Sequence, residues 1–280
     1  MIKEFEQKGY CKFKKVFPKK FIYELKIKCL EIAKGLSVEL REKYKSQGSL
    51  VQLLDYPYFS KIIAESRLFD CFIKLGFKDT VFSSGYLISK PAGGPPLFWH
   101  QDWWGWDHPY SYTSNIAQFF VMIYLQDTHR ENGCLRVIPG SHRKKYEPLS
   151  SLNAHSDELS EYRNPLSIQF QELNQEESVE VSMGDVIFGD ARLLHGAYGN
   201  YSTEERSLLT LWYHPNYFDL PASIRAAIWR LHNGIVEGVD TPINEGGISN
   251  WPEEDKLLLT TLIPRVEKDA PLKWNRIPNW

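Results

Sequence analysis

The chain reads as mainly β with flanking helices, its strands forming a sandwich or barrel of the jelly-roll kind. Three observations predict this. Between about residues 80 and 215, short β-rich runs (TVFSSGYLIS, NIAQFFVMIYL, CLRVIP, ESVEVS, DVIFGD, SLLTLWYH) are separated by the turn clusters PAGGPP, RENG and SMGD. Strands at such turn-punctuated intervals belong to β-sandwiches and barrels. On either side of this region the apolar spacing becomes helical. No linker-like stretch divides the chain, so residues 1–280 are expected to form one domain. Its parts would be a mostly helical 1–78, a β core over 80–215 and a helical or irregular extension over 216–280.

Taken in order, GYCKFKKVF alternates apolar and polar residues as a short edge strand does, with Lys12, Lys14 and Lys15 guarding its outer face. Pro18 then opens a helix, FIYELKIKCLEIAKGL, whose Phe21, Leu25, Cys29 and Ile32 recur at helical spacing. A second helix is predicted in PYFSKIIAESRLFDCFIKLGF. A strand over about 96–102 suits LFWHQD, because side chains at i and i+2 of a strand leave the same face. The polar stretch 143–177 is longer than an ordinary connection and reads as a lid or a pocket-flanking insertion. After residue 215, Pro221 sits near the start of a helix, PASIRAAIWRL.

Composition narrows the function. A net charge of -2 with 42% hydrophobic and 24% charged residues has neither the basic excess of a nucleic-acid binder nor a strongly acidic tail. No apolar run approaches the ~20 residues of a membrane span. The opening MIKEFEQKGYCKFKK carries charges where a signal peptide needs apolar residues. Cys11, Cys29, Cys71 and Cys134 lack metal-like spacing and read as buried thiols in a reducing compartment. These features predict a cytoplasmic protein. Oligomeric state leaves no trace in the sequence.

The chemistry begins at WHQDWWGWD, residues 99–107. A carboxylate among large rings is costly to bury without a cation beside it. On a strand His100 and Asp102 point together, as two ligands of a metal would, and a third ligand must come from elsewhere. His-x-Asp by itself is a weak signal, since it arises often by chance. His108, His129, His155 and His232 lie in polar surroundings and read as surface histidines. His142 reads as a turn brace and His214 as a core residue ending a strand. His195 differs: it follows the run DVIFGDARLLH, is succeeded by Gly196 and Ala197, and has Arg206 eleven positions further on. Arg206 taken alone could equally be a strand-edge arginine paired to Glu204 or Glu205.

His-x-Asp, a distant histidine and an arginine at that spacing resemble the iron(II)/2-oxoglutarate-dependent dioxygenases, and within them the phytanoyl-CoA dioxygenase family. ENGCLRVIPGSH (131–142), GDVIFGDARLLHGAYGNYSTEERSLLTLWY (184–213) and the opening FEQKGYCKFKKVF are similar to that family's signatures, so the resemblance covers about residues 5–214. It implies a double-stranded β-helix, a cupin-like jelly-roll barrel with a metal in one mouth. It also implies that His100, Asp102 and His195 hold Fe(II) and leave positions open for 2-oxoglutarate and O2. Arg206 would grip the distal carboxylate of 2-oxoglutarate, which a planar guanidinium suits. Many members carry a hydroxyl two positions after the distal histidine; here that position is Ala197. Thr210, Tyr86 or Gln118 would then supply the missing contact, or serve as plain interior residues. The presence of Asp102 favours hydroxylation over halogenation, with decarboxylation of 2-oxoglutarate to succinate and CO2.

Trp103, Trp104 and Trp106 flank the metal motif and are candidates for a substrate pocket, with core packing as the alternative. A small-molecule substrate is expected, possible in specialised metabolism, and Lys90, Arg136 and Arg192 are the cations that a CoA phosphate would find near the motif. Two other readings use the same residues. The triad would suit a zinc hydrolase, or the barrel would be a non-catalytic module binding 2-oxoglutarate or metal.

Overall fold

The computed structural model describes every residue except 148, 150–154, 234–247 and 249. Helices α1 (Ile2–Lys8), α2 (Lys19–Lys34), α3 (Val38–Lys43), α4 (Ser60–Ile63) and α5 (Ser66–Lys74) precede most of the strands, and β1 (Tyr10–Phe13) and β2 (Ser49–Gln52) are threaded between them. Then come β3 (Val81–Lys90), β4 (Leu97–His100), β5 (Phe119–Tyr124), β6 (Leu135–Val137), helix α6 (Asp157–Ser160), β7 (Glu177–Val179), β8 (Val186–Asp190), β9 (His195–Ala197) and β10 (Arg206–His214). Helices α7 (Ala222–His232) and α8 (Glu253–Leu259) follow. Among the described residues no helix is long and apolar enough to cross a membrane.

The strands form two antiparallel sheets, ordered β1-β8-β5-β10-β3-β2 and β4-β9-β6-β7. This corrects the expectation of a mainly β jelly-roll, double-stranded β-helix core. The fold is mixed α/β, and among the described residues both sheets are open, with no barrel closed around the site. The smaller sheet explains why: β4 has four residues and β6, β7 and β9 only three each, too short to carry a ladder round to the larger sheet. The sheets are joined instead by apolar packing, in which Phe120, Met122 and Tyr124 of β5 meet Leu135 and Val137 of β6 and Val179 of β7.

The larger sheet is covered on its other face by the N-terminal helices. Ile22, Leu25, Cys29 and Ala33 are the buried positions of α2, which runs from Pro18 as predicted. Ile22, Leu25 and Cys29 join Leu68, Cys71 and Phe72 of α5 against Phe119, Val121, Leu209 and Leu211. β1 is an edge strand as its lysines suggest. The single helix expected over 57–77 is instead broken into a 3-10 turn (Pro57–Phe59), α4 and α5. The insertion 143–177 carries α6 and a 3-10 turn at Ile168–Phe170, and part of it lies outside the described residues.

Candidate active site

β4 and β9 bring the two histidines together by register alone, because His100 is the cross-strand partner of His195. Each ring is set by its own chain: Nδ1 of His100 lies 2.9 Å from the Phe98 carbonyl, and Nδ1 of His195 2.9 Å from that of Leu193. A carbonyl only accepts, so each Nδ1 carries a proton, and Nε2 is the nitrogen each ring turns toward Asp102. Asp102 lies two residues beyond the end of β4. The strand predicted to 102 stops at His100, and the extended chain after it is held by Asp102 N and Trp103 N, both donating to the Ala191 carbonyl. Asp102 Oδ1 sits 3.4 Å from His100 Nε2 and Oδ2 3.6 Å from His195 Nε2. One ligating atom from each of the three falls within 4.8 Å of the others.

Burial by itself would raise the Asp102 carboxyl, but its neighbours, among them the Trp212 indole that donates to Oδ2, outweigh this and hold it below the usual range. The carboxylate is therefore kept ionised in a nearly dry place. His195, pushed down to about 4 by burial and then by His100, stays neutral. Two imidazole nitrogens and one carboxylate make a donor set suited to a divalent cation.

The triad opens onto a cavity of about 240 Å³ between the sheets. Tyr86, Gln118 and Thr210, the candidates for cosubstrate contacts, all line it. Arg206 does not, though it shares the inward face of β10 with Thr210 and Trp212, at two-residue spacing. It is 2% exposed, and its Nε and Nη1 meet no acceptor among the described residues. The pairing with Glu204 or Glu205 does not form: Glu205 binds Arg41 at 3.3 Å and the Ser89 hydroxyl at 2.5 Å. Gln118 Oε1 and Thr210 Oγ1 are likewise buried without partners.

Of the candidate pocket tryptophans only Trp104 reaches the cavity. Trp103 and Trp106 are fully buried and pack with Ile224, Ala227 and Ile228 of α7. They are core because the chain leaves the strand at His100, so alternation no longer governs which way rings point. Lys90, Arg136 and Arg192 are not available to a CoA phosphate. Lys90 donates to the carbonyls of Ser46 and Pro95, Arg136 to those of Leu97, Phe170 and Gln171, and Arg192 pairs with Asp190 at 2.7 Å.

Four residues of the site have no counterpart among the candidates. Trp212 donates from Nε1 to Asp102 Oδ2 at 2.8 Å. Continuing the two-residue spacing of β10 from Arg206 and Thr210 would have found it. His155, read as a surface residue, is folded over the cavity with Trp274 and Arg276 of the C-terminal segment. Nothing in their local sequence marks them.

A family model described as phytanoyl-CoA dioxygenase matches residues 5–208. The chain is 25% identical over 233 residues to a probable alpha-ketoglutarate-dependent hypophosphite dioxygenase of Stutzerimonas stutzeri, covering 75% of this chain and 76% of that protein. It is 28% identical over 187 residues to phytanoyl-CoA dioxygenase 1 of Oryza sativa subsp. japonica, covering 65% of this chain and 59% of that one. The chain thus spans little more than half of the rice protein. In fold it is similar to the carbocyclase SnoK from nogalamycin biosynthesis, with a TM-score of 0.58 and 19% identity over 76% of this chain and 82% of the other. HygX from Streptomyces hygroscopicus, solved with nickel and 2-oxoglutarate, gives 0.58 and 18% over 76% and 84%.

Proposed function

Because the chain belongs to the phytanoyl-CoA dioxygenase family, we propose that it hydroxylates a small molecule at a non-haem iron held by His100, Asp102 and His195, with 2-oxoglutarate as cosubstrate. Family and triad make it an oxidoreductase of the 2-oxoglutarate-dependent iron class; the substrate and the outcome of the oxidation are the proposal.

The observation that carries the reading is a buried guanidinium without an anion. Leaving Arg206 unpaired inside the protein is costly, and a dicarboxylate reaching from the triad toward β10 would pair it. Gln118 Oε1 and Thr210 Oγ1, also partnerless, lie along the same face. The residues therefore fit both the ion and the cosubstrate, and Thr210 takes the place of a hydroxyl at Ala197. When bound, the iron and 2-oxoglutarate supply the oxidising power, coupled to decarboxylation to succinate and CO2.

The chain's own residues supply placement. The carbonyls of Phe98 and Leu193 fix the imidazole tautomers, and Trp212 fixes the carboxylate. Arg206 orients the cosubstrate, and the small, largely apolar cavity excludes water and admits one compact substrate.

The test is succinate formation by protein reconstituted anaerobically and then exposed to O2. Turnover is expected only with both Fe(II) and 2-oxoglutarate, and is expected to be abolished in His100→Ala and Asp102→Ala. Arg206→Gln should raise the KM for 2-oxoglutarate about 10- to 100-fold, the cost of losing hydrogen bonds to a charged group. Zinc retained after reconstitution, with no succinate from any substrate panel, would overturn the reading.

A further inference from the structure

We infer that Arg276 is the substrate's anchor, and that the substrate carries a carboxylate or similar oxyanion; this rests on the oxygenase reading above. Arg276 lies on the C-terminal segment, far outside the stretch matched to the family, yet it lines the cavity that His100, Asp102 and His195 open onto. Two contacts hold it there, each backed by a further one. Trp274 runs under its guanidinium, with Cζ 4.9 Å from the ring centroid. Trp274 is itself stacked on Trp104, at 5.1 Å and 5°. On another side, Arg276 Nη1 lies against the His155 ring, 2.7 Å from Nε2 and 3.0 Å from Nδ1, and that Nε2 also faces the Gln101 carbonyl at 3.2 Å.

That environment fixes the guanidinium without neutralising it. His155 meets the guanidinium through its ring and brings no carboxylate to it. Among the described residues Arg276 forms no ion pair; the acid whose charge it feels is Asp102, which is committed to the metal. A cation placed on an aromatic shelf, at the wall of a cavity and without a carboxylate of its own, is built to receive one from a ligand. Trp104, Trp212, Leu231 and Trp274 line the same cavity and suit an apolar body carrying that anion. Arg206, which also forms no ion pair among the described residues, is separate: it lines no part of this cavity. The two arginines would thus divide the work, one for cosubstrate and one for substrate.

The experiment uses the full chain loaded with Ni(II) and saturating 2-oxoglutarate, titrated calorimetrically with isosteric pairs: phenylacetate and phenylacetamide, hexanoate and hexanamide, cyclohexanecarboxylate and its amide, L-phenylalanine and its amide. At least one carboxylate is expected to bind tenfold or more tightly than its amide. Arg276→Gln should bring that ratio to near one, and Arg276→Lys should restore part of it. A merely structural role would weaken both members alike and leave the ratio intact, which overturns the proposal. So would a panel in which no carboxylate outbinds its amide. An Arg276→Gln variant whose defect is a raised 2-oxoglutarate Kd would overturn it too, by making Arg276 the cosubstrate's partner. Succinate formation by the wild type with Fe(II) is measured separately, so loss of the oxygenase reading is distinguishable from loss of the anchor.

Discussion

Trp212 donates one hydrogen bond, and that bond divides the duties of the two oxygens of Asp102. Oδ2 accepts from the indole at 2.8 Å, so the carboxylate cannot swing, and Oδ1 is left facing His100 Nε2. Partners that orient metal ligands are typically worth about 10- to 100-fold in metal affinity. Trp212→Phe, which keeps the ring and deletes the donor, should weaken Ni(II) or Fe(II) binding by that range while leaving the thermal midpoint nearly unchanged; titration of the metal-free protein measures it. Histidines make a second prediction. Burial pushes His195, His214 and His232 down to about 4, against an unfolded value of roughly 6.5. Between those values the unfolded chain binds more protons than the folded one. The stability these groups contribute is therefore full above about pH 6.5 and is lost as pH falls toward 4, by at most about 1.4 kcal/mol per pH unit for each. Melting of the metal-free protein should show a midpoint that falls steadily from pH 7 to pH 5. A flat profile would mean that these rings are solvated.

At the scale of elements, what was legible depended on whether a strand kept its alternation. The runs at 81–90, 119–124, 186–190 and 206–214 are long enough to show it, and each is a strand. β2 and β9 were missed, β2 because it lies within the stretch read as mostly helical and β9 because its residues after His195 are small. β9 has two small residues, Gly196 and Ala197, and its identity comes from pairing with β4 and β6. Asp102 was placed beside His100 by strand geometry, yet the ladder ends between them and Ala191 holds the turn. Gly105 lies just beyond. A Cβ there would press into the ring of Trp103, 2.9 Å from Cε2, and that ring is fully buried and tied to Ser111. Gly105→Ala should destabilise the protein by about 1–3 kcal/mol, the usual cost of overpacking a core. Chemical denaturation measures that loss. The same substitution should disturb the bridge that Gly105 forms with Asn275.

Across the whole molecule, the reaction centre was readable and its enclosure was not. His100, Asp102 and His195 stand out through their resemblance to the family's metal motif, not through type and spacing alone, and the structure brings the three together. His155, Trp274 and Arg276 serve the cavity through long-range packing, which no local pattern encodes. The barrel was over-read for a similar reason: strand count suggested closure, but closure depends on ladder length, and the second sheet has short ladders. The C-terminal segment is fastened by Asn275, whose N–H donates to the Trp104 carbonyl while its own carbonyl accepts from Trp106 N. Its ring and guanidinium thus reach the cavity from outside both sheets. On the proposed reading, the metal ligands and the substrate's anchor come from distant lengths of one polypeptide. Grafting a different ending onto this scaffold would re-aim the catalyst at new molecules while its iron-holding machinery stayed as it was.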